Sequence, residues 1–421
     1  MTALRGVAAV AAVCLAGLAG GCGGGDDGAE AVAIGSCGGL VYDGEGEPDV
    51  IVVADNPRRG EHAPVTTEIV GAIEFVLRRR DFRAGEFRVG FQSCDYTVGG
   101  SLDAGQCKRN AQAFVETGDV VGVIGPYNSG CAELQIPIVS RAAAGPLAMI
   151  SPANTFSGLT RGSAALPLYP DGVRSYARVV THDQAQAVAA AQLARRSGAQ
   201  RAAVVAQRGV DDPYVAALTE PFGVAARALG IESKEYDWRI QESYAKLAAS
   251  IAAARPDVVY LVGLSEGNAK TLIQDLRAGL GQVPIIAPDS FALDDIAEEL
   301  GPVGEGMLTT VPGIPRSALP PAGKKFLHEF GETEALPGAQ GAPEAAQATE
   351  VLLDAIARSD GTRASVVEEL FSTEVENGIL GSFSFDRFGD IDPAPVGVYR
   401  YEGGKLVVDG VVRAPIDAAT R

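Results

Sequence analysis

Residues 120–155 read VVGVIGPYNSGCAELQIPIVSRAAAGPLAMISPANT, and two apolar runs within them each stop abruptly at small polar residues. Val120 to Ile124 and Leu147 to Ile150 are short and bounded by Gly or Pro, which suits strands of a parallel sheet buried on both faces. The segment between them reads as a helix. Open α/β sheets take ligands outside the carboxyl ends of their strands, and those ends carry Tyr127-Asn128-Ser129 and Ser151-Pro152-Ala153-Asn154-Thr155. Ser129 then stands at the start of a helix, where its hydroxyl and the unpaired N–H groups behind it suit a small anion such as a carboxylate. The plainer use of these residues is a helix cap and a Ser-Pro turn.

With 421 residues, 47% of them hydrophobic and 21% charged, the chain is long enough for two cores. A formal net charge of −18 speaks against nucleic acid or an anionic membrane surface as a partner, because phosphate backbones are bound by basic patches. Residues 1–22 have the form of an export signal: Arg5, an apolar run from Gly6 to Leu18, then small residues up to Cys22. Ala19-Gly20-Gly21-Cys22 resembles a bacterial lipoprotein cleavage box, with Leu18 one place earlier than the usual leucine. That resemblance implies lipidation of Cys22 and anchoring to the outer face of the cytoplasmic membrane; simple cleavage and secretion is the alternative. Residues 23–47, beginning GGGDDGAE, are expected to be a flexible tether.

Four further cysteines, Cys37, Cys94, Cys107 and Cys131, suggest two disulfides in an exported protein, with three connectivities open. Cys94 with Cys107 closes a short loop between a strand and the next helix and is the favoured pair, which leaves Cys37 with Cys131. No Cys-x-x-Cys pair is present and His62, His182 and His328 stand apart, so neither a metal nor a cofactor is implied.

Outside the central stretch, Val50 to Ala54 and Phe87 to Gln92 read as strands. Helices are expected around Ile69 to Arg80 and Ala111 to Glu116. From Gln184 the pattern begins again. Strands at Arg201 to Ala206, Val258 to Val262 and Pro284 to Ala287 alternate with helices at Ala185 to Arg196, Tyr214 to Leu229, Tyr244 to Ala254 and Ala269 to Ala278. Further helices are expected near Gly323 to Phe330, Pro343 to Ser359 and Ser365 to Ser372, and two last strands at Val396 to Tyr401 and Lys405 to Val408. The fold class is α/β, with two doubly wound, Rossmann-like lobes.

Gly125-Pro-Tyr-Asn-Ser129, Gly145-Pro-Leu-Ala-Met-Ile-Ser151-Pro-Ala-Asn-Thr155, Gly158-Leu-Thr160 and the late Gly381-Ser-Phe-Ser-Phe-Asp386 with Gly389-Asp390 resemble the type I periplasmic substrate-binding proteins of the leucine/isoleucine/valine-binding kind. The resemblance spans about residues 50 to 410. It implies a three-crossing hinge near Val180-Thr181, Pro312 and Asp392. One lobe then comprises residues 48–180 plus 313–391, and the other 181–312 plus 392–415. It also implies that Ser129, the backbone of Ala153, and Thr155 hold a ligand carboxylate. On the same resemblance Tyr214 lines the cleft and Asp289 takes an α-amino group through a charge-assisted hydrogen bond.

The chain departs from the branched-chain binders at several of these positions. Asp289 replaces a Glu, and Leu264 replaces a tyrosine, so that one polar contact is either missing or supplied by Ser265 or Glu266. Arg58 and Arg59 stand in the first-strand loop, where a guanidinium pair suits a second acidic group on a ligand. As structural residues, Asp289 would cap a helix, Tyr214 would pack at a helix start and the arginines would be solvated.

Ser129 lacks a Gly-x-Ser-x-Gly elbow, no His has the setting of a catalytic base, and no phosphate loop is present, so an enzyme is not expected. The expected function is capture of an amino acid or related small polar ligand between the lobes and its delivery, as a monomer, to the permease of an ABC importer. The other use of the same fold is a ligand-sensing receptor component.

Overall fold

The apolar runs become strands because each is four to eight residues of mostly β-branched or small side chains that can be buried on both faces. In a computed structural model, which describes residues 28–209, 212–265, 268–331 and 341–414, they assemble into two large sheets. The first has the order Arg83–Ala84, Phe87–Cys94, Val50–Asp55, Val120–Ile124, Ala148–Ser151, Tyr176–Arg178, parallel throughout except for its first, two-residue edge strand. The second has the order Glu232–Trp238, Arg201–Gln207, Val258–Val262, Ile285–Ala287, Leu308–Pro312, Ala394–Glu402, Lys405–Ala414. Its first five strands are parallel and the last two run antiparallel.

The apolar cores sort in the same way. Val52, Phe91, Ile124 and Ile150 share a core with Leu352, Phe383 and Ile391, whereas Val204, Tyr260 and Ile286 share one with Val396 and Val412. The chain passes between the sheets at three places, and one carbonyl joins them: Pro395 O accepts from the Thr181 hydroxyl and from Gly313 N at 2.9 Å.

Beside the first of these passages lies a buried ionic cluster. Arg178 Nε donates to Asp390 Oδ1 at 2.7 Å and Arg161 Nε to Asp390 Oδ2 at 2.6 Å, while the Thr160 hydroxyl bonds both oxygens. Arg161 also pairs with Asp386. Burial alone would raise the Asp390 carboxyl; the neighbouring guanidinium groups outweigh it and hold the group well below the usual carboxylate range. His182 lies 3.8 Å from the same carboxylate, and its Nδ1 accepts from Ala185 N at 3.3 Å, so it caps the helix Asp183–Arg196. Burial drives the His182 pKa down to about 3, so the ring is neutral in the folded protein.

Two expectations are corrected, and one strand that the apolar pattern does not mark is added. Residues 28–47 are not a free tether: Ala29 N bonds Pro48 O at 2.8 Å, Val32 is buried, and Gln92 Nε2 holds the carbonyls of Val32 and Gly38 at 3.1 and 2.7 Å. This strap runs antiparallel to Phe87–Cys94, with Val41 opposite Phe91. The favoured cysteine pairing falls for the same reason, since the strap sets Cys37 directly opposite Cys94 and the two are bonded. Cys107, one turn into the helix Ala104–Glu116, faces Cys131 in the helix Ser129–Val139 and bonds to it. Finally, Glu232–Trp238 is a strand; it is polar because it lies at a sheet edge, where charged side chains deter further pairing. The signal segment and Cys22 lie outside the described residues.

His182 makes stability pH-dependent in a stated direction. Its folded pKa of about 3 lies below the ordinary 6.5, so on acidification the unfolded chain takes up a proton first. Its contribution is full above about pH 6.5 and is lost progressively toward pH 3, at up to about 1.4 kcal/mol per pH unit. Asp55 and Glu344, each pushed up to about 7 by burial, act in the opposite sense over an overlapping range, so the comparison must be with a variant. Chemical denaturation of His182→Gln and wild type should show a gap that moves in the variant's favour as pH falls below 6.5; a gap constant with pH contradicts this assignment.

Candidate ligand-binding site

The strand Val120–Ile124 ends at Gly125, whose φ of +124° and proximity to the Asp55 carbonyl, 2.9 Å from where a Cβ would stand, leave room for no side chain. The turn that follows is fixed by buried Tyr96, whose hydroxyl donates to Asn128 Oδ1 at 2.7 Å and accepts from Asn128 N at 3.0 Å. Ser129 is therefore the first residue of the helix Ser129–Val139, with its Oγ 3.5 Å from Phe156 N. Beneath that helix, Asp55 accepts from Asn110 and Gln135 at 2.8 and 2.6 Å, which fixes two helices to the end of the first strand.

The next strand, Ala148–Ser151, hands over to the second loop in a similar way. Ser151 Oγ accepts from Ala153 N at 3.2 Å and Asn154 N at 3.0 Å, so the Ala153 amide is turned onto a neighbouring hydroxyl. Asn154 Nδ2 donates to Tyr127 O at 2.8 Å, locking the two loops together. Arg178 completes the support by donating to the carbonyls of Asn154 and Phe156 at 3.0 and 2.9 Å, on either side of half-buried Thr155.

The opposite wall comes from the second sheet. Asp289 opens a single helical turn after the strand Ile285–Ala287, and its Oδ1 accepts from the Tyr214 hydroxyl at 2.8 Å and Gln186 Nε2 at 3.0 Å. Burial raises the Asp289 carboxyl above its usual range against those two hydrogen bonds, and raises the Tyr214 hydroxyl well above its own. Leu264 lies in the neighbouring loop with its N–H on Gln207 Oε1 at 2.7 Å. Glu266 lies outside the described residues.

One helix connects the two walls. In the first turn of Asp183–Arg196, Asp183 N donates to Thr155 O at 2.9 Å and Gln184 N to Ser157 Oγ at 3.0 Å. Gln186, three residues beyond Asp183, reaches Asp289. The loop holding Thr155 and the carboxylate of Asp289 thus stand one hydrogen bond away from the same helical turn. Arg58 and Arg59 are not in this group: they line an open pocket of about 570 Å³ with Asp95, Gln106 and Arg109, to which the second sheet contributes nothing. Among the described residues, no group of three or more His, Cys, Asp or Glu is placed to hold a metal ion.

Gln186, bonded to Asp289, and Arg178, bonded to the loop holding Thr155, belong to the candidate site and were missed by sequence reasoning. A usable signal for Gln186 was its place among Ala185, Ala187, Val188 and Ala189, all buried: a polar side chain inside an apolar helix face must find partners. For Arg178 the tripeptide Tyr-Ala-Arg was too short to reveal a strand.

Residues 100–404 match the periplasmic binding protein family over well more than half of the chain. The chain belongs to that family. Its structure resembles a leucine-binding protein from Thermotoga maritima, with 23% identity, a TM-score of 0.65, and coverage of 87% of this chain and 99% of that one. An ABC transporter substrate-binding protein from Desulfitobacterium hafniense, solved with leucine, is 20% identical with a TM-score of 0.65 over 85% of this chain and 99% of that one. A solute-binding protein of an ABC transporter from Rhodopseudomonas palustris, solved with 3,4-dihydroxybenzoic acid, is 16% identical with a TM-score of 0.63 over 88% and 99%. These likenesses show the type I fold. No curated protein matches the chain.

The single tryptophan gives this periplasmic binding protein a built-in reporter. Buried Trp238 donates to Val262 O at 3.2 Å and its ring lies under Gly263, next to Leu264. A ligand that engages this loop should change Trp238 emission saturably; unchanged emission at saturating ligand would remove Leu264 from the site.

Proposed function

We propose that the protein captures an amino acid or related small carboxylate between its two sheets outside the cytoplasm and delivers it to an ABC importer, anchored through lipidated Cys22. The observation that carries this reading is the convergence of two chemically different poles on the first turn of Asp183–Arg196. The hydroxyls of Ser129 and Thr155 and the amides at the start of the helix Ser129–Val139 suit a carboxylate, the Ala153 amide being taken up by Ser151. Asp289 with Tyr214 suits a donor at the other end of the ligand. The ligands named for the structural relatives, leucine and a hydroxylated benzoate, differ in all but their carboxylate, which supports the first pole as the constant part.

A ligand that bridges both poles favours whichever arrangement of the sheets brings them together, by the difference in its contacts between arrangements. No bond is made or broken in such a cycle, and no residue is assigned a catalytic role. Residues 48–180 with 313–391 and 181–312 with 392–415 act as the two bodies.

A thermal-shift screen against amino acids, benzoates, amides and dicarboxylates tests the reading, because a ligand at about 100 times its Kd adds about 2.7 kcal/mol of stability. At least one carboxylate should raise the midpoint. Ser129→Ala should then weaken its binding by about 1.5–3 kcal/mol, whereas Asp289→Asn should weaken ligands that carry an ammonium or phenolic donor and spare those with an apolar end. No midpoint shift with any carboxylate, or shifts indifferent to Ser129→Ala, would falsify it.

A further inference from the structure

The pocket around Arg58 and Arg59 lies apart from the cleft, between the exit loop of the first strand, the N-terminal strap and the helix Ala104–Glu116. In a chain of formal charge −18 it gathers three exposed guanidinium groups, those of Arg58, Arg59 and Arg109, around an open volume of about 570 Å³. Their acidic neighbours are largely committed. Asp95 is buried, and its Oδ1 accepts from Arg58 N, Thr97 N and Thr97 Oγ1 at 3.3, 2.8 and 2.7 Å. Its Oδ2 is 3.8 Å from Arg59 Nε. Asp103 Oδ1 caps its own helix through Gln106 N at 2.6 Å and is 3.5 Å from Arg109. Arg109 is steered by Gln106 Oε1, which accepts from Nε and Nη2 at 3.2 and 2.7 Å. Among the described residues, the Arg58 guanidinium meets no acceptor.

The walls are preformed. Ser36 Oγ and Gln106 Nε2 both donate to Asn110 Oδ1 at 2.7 Å, and the Cys37–Cys94 disulfide fixes the strap that closes one side. Guanidinium forks held around a rigid concavity bind carboxylates and phosphates through paired hydrogen bonds, and preformed walls spare the ligand the entropy of ordering them.

We propose that this pocket is a second ligand site, taking a small multivalent anion, a di- or tricarboxylate or inorganic phosphate, independently of the cleft. The test is calorimetric titration of the full folded protein with phosphate, succinate and citrate in separate runs, at an ionic strength held constant with chloride. At least one should bind saturably, and which one identifies the anion class. Arg58→Ala and Arg59→Ala should each weaken that binding about tenfold. Arg58→Lys, which keeps the charge and loses the fork, should fall between. Ser129→Ala in the cleft and Arg196→Ala on an exposed helix end should leave it unchanged. Absence of saturable binding by all three anions, retention of affinity in Arg58→Ala, or loss in Ser129→Ala overturns the proposal.

Discussion

A fully buried arginine can stay charged only if every face of its guanidinium is met, and in meeting that demand Arg178 organises this protein. Nε goes to Asp390, Nη2 to the Thr160 hydroxyl at 2.6 Å, and Nη1 to the two carbonyls that flank Thr155. Burial pulls the guanidinium pKa down and Asp390 more than restores it, so neither partner is stable there alone. The cluster therefore ties the loop holding Thr155 in the first sheet to residues more than two hundred positions later in the chain. It does so immediately beside the first passage to the second sheet, where Thr181 reaches the carbonyl that also receives Gly313.

From that anchor the asymmetry of the site follows. The first wall presents hydroxyl and amide groups whose loops are braced by buried side chains, Tyr96, Ser151 and Asn154. The second presents a carboxylate already satisfied by a phenol and an amide. A ligand competing for Asp289 must offer a donor at least as good as those of Tyr214 and Gln186, which favours an ammonium or a phenolic hydroxyl over an apolar end. Asp289, with one carbon fewer than Glu, shortens that reach.

Much of the architecture was legible because short apolar runs with turn residues at their ends have few other uses. Ser129 and Thr155 stand at such ends, whereas Tyr214 and Asp289 were singled out only through the resemblance to the binding-protein family. What escaped had physical causes. The cysteine partners depend on the strap's register against Phe87–Cys94 and on which helix faces meet, neither of which spacing encodes. The strap itself looked like a linker because it is rich in Gly and continues from GGGDDG, yet backbone hydrogen bonds and the Gln92 side chain hold it. Arg58 and Arg59 stand in the first-strand loop as read, but they line a pocket with the strap and the helix Ala104–Glu116, to which the second sheet contributes nothing. Charged residues in a buried cluster, such as Arg178 and Asp390, carry no local pattern; their pairing appears only when distant segments are brought together.

The most direct measurement is ligand affinity in the variant Arg178→Met. Asp390 keeps Arg161 Nε and the Thr160 hydroxyl as partners, so its charge stays paired while the grip on the Asn154 and Phe156 carbonyls is lost. If Arg178 positions the ligand loop, a cleft ligand should bind at least about tenfold more weakly to the folded variant, the equivalent of about 1.4 kcal/mol. Wild-type affinity in a variant of wild-type stability would contradict the account.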